Sequence, residues 1–204
     1  MIRASNMRTM NNGLPGITSR GRLRRALRLV GELLEARRYR VEVVIIGGSA
    51  MLLGGLNSRP TRDVDIVAFV VDGSLTKPAR VPDPLARAAA ATALELGLEP
   101  GWLNIGPTDL LDAGMPNGFF ERCSVERFSG LTAFVADRYD LIHFKTFAAV
   151  DQGPTSKHYA DLRELSPSHG ELSSAARWCR IQDPSDAFAG ELAELLATFG
   201  ITDV

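Results

Sequence analysis

Along the chain, apolar and polar positions alternate at two distinct periods. From Ser19 onward, Leu23, Leu27, Val30 and Leu34 recur at spacings of four, three and four, while Arg22, Arg24, Arg25 and Arg28 fall mostly elsewhere on the helical wheel. That spacing predicts an amphipathic helix capped by Ser19 and finished by Tyr39. The run VEVVII (41–46) is β-branched and reads as a buried strand; GGSAMLLGG after it reads as a glycine turn feeding a short helix that stops at Gly54-Gly55. DVDIVAFVV (63–71) predicts a second strand, and Pro84 to Leu96 an alanine-rich helix closed by Gly97. WLNI (102–105), CSVERF (123–128) and LTAFVA (131–136) are short strand candidates. From Arg138 the pattern is helical: Tyr139 to Val150, about Ser156 to Leu165, Glu171 to Ile181, and Ser185 to Phe199. Residues 1–19 have no periodicity and carry turn-forming Asn11-Asn12-Gly13 and Pro15-Gly16, which predicts a loose tail.

These elements predict an α/β fold, a small mixed sheet flanked by helices over residues 20–137, followed by a C-terminal helical bundle over 138–204 that completes the site. The length of 204 residues, 45% of them apolar, suits one substantial core and excludes a disordered chain. Only two cysteines occur, Cys123 and Cys179, with no CxxC pair or His/Cys cluster, so a disulfide scaffold and a zinc site are excluded and reduced structural thiols are expected. No apolar run reaches the ~20 residues of a membrane span, and MIRASNMRTMNNG lacks the apolar stretch of a signal peptide; a cytoplasmic protein without membrane association is expected.

Charge changes this picture. The net value of −1 conceals an asymmetry: ten arginines and two glutamates give residues 1–40 a formal +8, which leaves −9 for the rest. One end of the chain is a polycation.

The candidate chemistry lies between the first two strands. Residues i and i+2 of a strand point to one face about 6.5 to 7 Å apart, so Asp63 and Asp65 can converge on a divalent cation. Two carboxylates facing one site repel unless a cation offsets them, and Mg²⁺, with oxygen ligands, retained waters and a nucleotide's phosphates, fits. Gly47 and Gly48 let the backbone approach a phosphate, the following helix N-terminus attracts anions, and Ser49 adds a hydroxyl. Arg59 and Arg62 can neutralise a triphosphate beside the acids. Alone, an Asp-x-Asp is commonly a solvated strand face and a Gly-Gly-Ser turn an ordinary connection; the joint pattern carries the inference.

That joint pattern, GGSAMLLGGLNSRPTRDVDI, resembles the signature of the minimal nucleotidyltransferase fold as it occurs in the AbiEii-type toxin group, and is most similar to the mycobacterial MenT toxins. WLN (102–104) and DRYDLIHFKTFAAVDQGPTSKHYADLREL (137–165) resemble the later blocks of that group, and the similarity covers Val41 to Leu165. The resemblance implies transfer of nucleotides from an NTP to the 3′ acceptor end of tRNA with Mg²⁺, which blocks translation. It implies Asp63 and Asp65 as metal ligands, Lys145 as a phosphate-binding lysine, and Asp161 as an anchor for Lys145 or for the acceptor hydroxyl. In plainer terms Lys145 is a stem lying over the core with its head in water, and Asp161 a helix-surface ion pair. Many members place a third carboxylate on a later strand; here Glu126 is the candidate by position, with Asp161 as its substitute. The resemblance also implies a cognate antitoxin protein, acting by binding or by modifying Ser49, where a phosphate would repel the substrate. Arg22, Arg24, Arg25 and Arg28 match an RNA backbone. The alternatives are a nucleotidyltransferase-fold binding protein without activity, and transfer to a small-molecule or protein acceptor.

Overall fold

The structure, a computed structural model, describes residues 16–57 and 59–202. In chain order the elements are α1 (Arg20–Glu35), β1 (Val41–Ile46), α2 (Gly47–Gly54), β2 (Val64–Val71), β3 (Ser74–Thr76), α3 (Asp83–Leu96), β4 (Leu103–Asn104), a 3-10 turn (Gly106–Leu111), α4 (Phe119–Arg122), β5 (Ser124–Phe128) and β6 (Leu131–Val135). Four helices follow: α5 (Arg138–Gln152), α6 (Lys157–Leu165), α7 (His169–Gln182) and α8 (Asp186–Ala197).

The chain makes one mixed sheet in the order β3-β2-β1-β6-β5, with β4 pairing the start of β2 on the edge that β3 pairs further along. β1 runs antiparallel to β2 and parallel to β6. Central β1 is buried on both faces except at Glu42, which is why VEVVII reads as a continuous apolar run rather than an alternating one. The expected α/β architecture with C-terminal helices is what the chain adopts.

α1 forms as its periodicity dictates. The Ser19 hydroxyl accepts from the Arg22 amide at 3.1 Å, and Leu23, Ala26, Leu27, Val30, Gly31 and Leu34 make one buried stripe. Gly31 sits where a Cβ would overlap the Phe128 carbonyl, so only glycine lets α1 lie this close to the sheet. α2 ends at Gly55 and α3 at Gly97, both in the left-handed conformation. α5 packs against α6, α7 and α8 and also against α2, so the helical half is seated on the helix that follows β1.

Two sequence expectations change. The tail is expected to be loose to residue 19; residues 1–15 lie outside the described residues, but Ile17 is fully buried and exchanges both backbone hydrogen bonds with Thr61, at 2.7 and 3.1 Å. β3, the 3-10 turn and α4 fall in stretches read as loop.

Candidate active site

β1 ends at Ile46, and the chain turns directly into α2 through Gly47, whose φ is +72°. A Cβ on Gly47 would stand 2.5 Å from Asp65 Oδ2, so the turn approaches the carboxylate more closely than any side chain permits. No side chain caps the N-terminus of α2. Gly47 and Gly48 of its first turn line the same cavity as Asp65, at the helix end where backbone N–H groups lack intrahelical partners.

Asp65 lies in β2, opposite Ile46 on one side and Asn104 on the other. The Asn104 amide donates to Asp65 Oδ1 at 3.1 Å, while Asn104 Oδ1 accepts from the Gly106 amide at 2.8 Å. Asp63 stands just before the strand rather than in it, and the Thr61 hydroxyl lies 3.3 Å from its Oδ1 and 3.2 Å from its carbonyl oxygen. Both acids line a cavity of about 340 Å³ with Gly47, Gly48, Arg59, Thr61, Arg62, Lys145, Lys157 and His158. Segments some 100 residues apart in sequence thus meet in one cleft.

Lys145 of α5 is only 4% exposed, and its ammonium donates to Asp161 Oδ2 at 2.7 Å. Asp161 of α6 is 1% exposed, and its other oxygen accepts from Arg59, Nη2 at 2.6 Å and Nε at 3.1 Å. Asp161 is therefore the anchor of Lys145 and Arg59, and neither reading as a solvated lysine head nor as a helix-surface pair holds. At 1% exposure Asp161 stands behind Lys145 and Arg59 and is not among the residues that line the cavity, so it is not placed to take a proton from an acceptor hydroxyl there.

The electrostatics follow from burial. The Asp65 carboxyl is pushed above its usual value by burial first and by the charge of Asp63 second, against the pull of Asn104, Lys157 and Lys145. Burial lowers the Lys145 ammonium, opposed by Asp161. Burial, then Lys145 and Lys157, push His158 down to about 4, so it is neutral at pH 7. Among the described residues Arg62 and Lys157 form no ion pair, which leaves two cations facing the cleft.

Mg²⁺ passes a test against this donor set. Two hard oxygen donors share a site in which one is already held toward its neutral form by burial and by the other, the situation a divalent cation relieves. Among the described residues no group of three or more His, Cys, Asp or Glu could hold a metal, so water and substrate oxygens would fill the other positions of an ion on Asp63 and Asp65.

Several expected residues fall elsewhere. Glu126 sits opposite Ala133 of β6, which is opposite Val43 of β1; Val43 shares a face with Ile45, whose partner is Ile66. Asp65 is next to Ile66 and so belongs to the other face of the sheet. Glu126 meets Arg24 at 2.9 Å and Arg20 at 3.9 Å instead, and it is not a third carboxylate. Ser49 is also corrected: it is fully buried and its hydroxyl donates to the Ile46 carbonyl at 3.0 Å, so it neither reaches a phosphate nor offers itself for modification. The hydroxyl satisfies a strand-end carbonyl within α2's first turn, a local bond a Gly-Gly-Ser turn forms readily. Arg22 donates to the Leu96 carbonyl at 2.6 Å, which makes it part of the α1–α3 joint. Trp102 is a core residue whose indole donates to the Ala89 carbonyl at 3.0 Å.

Asn104, Thr61, Lys157 and His158 were not assigned by sequence reasoning alone. Asn104 carried a signal only in the WLN segment that the sequence reading singled out; the others are placed only by tertiary structure. The chain matches no family model and no curated protein.

Proposed function

We propose that the protein is a toxin-type nucleotidyltransferase that moves a nucleotide from an NTP to the 3′ acceptor end of tRNA in a Mg²⁺-dependent reaction. The observation that carries this reading is the single cleft in which Asp63 and Asp65 face the Gly47-Gly48 turn, Arg59, Arg62, Lys145 and Lys157. A cleft lined by two carboxylates and four cationic side chains suits a metal-bound triphosphate better than a neutral ligand.

In this reading Asp63 and Asp65 hold the ion, and the amides at the start of α2 receive a phosphate of the nucleotide. Mg²⁺, when bound, offsets charge on the transferred phosphoryl group. Arg62 and Lys157 steady the negative charge of the polyphosphate from the open side. Lys145, held by Asp161, presents its ammonium at a fixed point of the wall, a preorganised charge that needs no rearrangement as a ribose hydroxyl attacks the α-phosphorus, loses its proton to water, and the α–β P–O bond breaks to release pyrophosphate. Asn104 keeps Asp65 in one orientation. A toxin of this kind acts in the cytoplasm and has a neutralising antitoxin protein as partner. No helix among the described residues is long and apolar enough to cross a membrane.

Incubation with each labelled NTP and total tRNA, with Asp63→Ala as control, tests the proposal. Label on tRNA 3′ ends that disappears with Asp63→Ala is the expected result, and the absence of Asp63-dependent label on any RNA overturns it. Nucleotide binding without incorporation, unchanged in Asp65→Ala, points instead to an inactive binding protein.

A further inference from the structure

The two acids of the cleft are fixed by different means. Asp65 is held twice over, by its place in the ladder between β1 and β4 and by the Asn104 amide. Asp63 precedes β2 and has no ladder to hold it. Its backbone is a loop, and a carboxylate on a free loop cannot share an ion with one on a strand without loss of conformational entropy.

Thr61 supplies the missing constraint. It is 9% exposed and its hydroxyl stands within hydrogen-bond distance of Asp63 Oδ1 and of the Asp63 carbonyl oxygen. The same hydroxyl lies against Gly48, where a Cβ would come to 3.1 Å from Thr61 Oγ1. Its backbone, on the other side, exchanges two hydrogen bonds with Ile17, a two-residue ladder formed by the segment that leads into α1. Gly16 completes the fit, since a Cβ there would lie 2.9 Å from the Thr61 carbonyl oxygen.

We propose that Thr61 is a positioning residue for the candidate metal site, and that the Gly16-Ile17 strap is the element that holds it there. The inference rests on the reading of Asp63 and Asp65 as a divalent-cation site. The strap pins the loop through one isolated bridge; Thr61 then points its hydroxyl at Asp63 and sets that carboxylate facing Asp65. Such outer partners of metal-binding carboxylates typically account for 10- to 100-fold in metal affinity.

The test is Mn²⁺ binding to the full chain, followed by electron paramagnetic resonance of the free ion, beside Asp63→Ala. Thr61→Val removes the hydroxyl and keeps the backbone pair; Thr61→Ser restores it; Gly16→Ala presses on the strap from outside the cleft, and thermal melting checks that each variant is folded. The expected result is binding weakened about tenfold or more in Thr61→Val and in Gly16→Ala, with near-normal binding in Thr61→Ser. Folded Thr61→Val and Gly16→Ala proteins that bind Mn²⁺ as the parent does overturn the inference and leave the site reading standing. A parent chain that binds no Mn²⁺ in an Asp63-dependent way overturns the site reading and the inference with it. If Gly16→Ala is unfolded, Ile17→Pro, which removes the amide donated to the Thr61 carbonyl, takes its place under the same criteria.

Discussion

Asp65 is held in a state that suits a ligand and not the folded chain. Burial and the neighbouring Asp63 raise its pKa, so its ionised form costs folding energy at every pH above the window that opens at the unfolded value of 3.8. Asp65→Asn removes that charge while keeping shape and a hydrogen-bonding oxygen for Asn104. The variant is expected to melt at a higher temperature than the parent at pH 7 in the presence of a chelator, and to lack the stabilisation by millimolar Mg²⁺ that the proposed site predicts for the parent. Differential scanning calorimetry with and without Mg²⁺ checks both; a lower melting temperature in chelator contradicts the assignment of strain to this carboxylate. In the neighbouring set, Asp161 pairs with both Arg59 and Lys145 at 2.6 to 2.7 Å, and these contacts offset part of the burial that lowers the Lys145 ammonium. Removing one member of a buried pair leaves an uncompensated charge, which costs roughly 3 to 5 kcal/mol.

α1 shows what an element adds to a list of residues. Four of its five arginines, Arg22, Arg24, Arg25 and Arg28, read from sequence as one RNA-binding row, but they separate by function once the helix is packed. Arg22 donates to the end of α3 and Arg24 pairs with Glu126 of β5, so these two tie α1 to its neighbours. Arg25 and Arg28 remain exposed, beside a cleft between α1 and α3 that Glu32 and Glu95 also line. Arg25→Gln with Arg28→Gln is expected to weaken tRNA binding and to reduce the slope of log affinity against log salt by about 2, one for each lost phosphate contact, with the melting temperature unchanged. Arg22→Gln with Arg24→Gln is expected to lower stability by about 1 to 2 kcal/mol instead. Filter binding over a salt series and a urea titration separate the two pairs; equal effects of both on RNA binding sink the distinction. The same element marks the limit of what was legible in the sequence. Helix and strand positions from Ser19 to α8 follow from periodicity, caps and glycines, because those signals are local. β3, the 3-10 turn and the Ile17 bridge are too short to carry a period and exist only because a partner segment is alongside. Glu126 was misplaced for a related reason: which face a strand residue takes depends on sheet order, here on a path through β6 and β1 that composition does not encode. The Asp pair was legible from its spacing beside the glycine turn and the arginines, Lys145 and Asp161 only through resemblance, while Asn104 and Thr61 act through contacts that only the fold creates.

Across the whole molecule the buried titratable groups set a defined response to acid. Two histidines, His143 and His158, are pushed below the ordinary 6.5 chiefly by burial, His158 to about 4. Between those values the unfolded chain takes up protons that the native fold refuses, so stability falls as pH drops from about 6.5 toward 4. Glu171, held down to about 2 by Arg138 and by the Ser168 cap, adds a second loss as pH falls from 4.5 toward 2. Asp65 and Asp140, both raised by burial, work in the opposite sense, since the native state gains when they take a proton. The chain is therefore expected to lose stability in two overlapping stages on acidification, partly offset by the raised aspartates. His158→Gln, which keeps a polar side chain of similar reach but cannot titrate, is expected to flatten the first stage without altering the second. Asp65→Asn is expected to steepen the loss, so that its advantage over the parent at pH 7 shrinks as the pH is lowered. Urea midpoints at half-unit steps from pH 8 to pH 3 for the parent and both variants measure this; a His158→Gln profile parallel to the parent's between pH 6.5 and 4 shows that His158 is not the group whose protonation burial, with Lys145 and Lys157, suppresses.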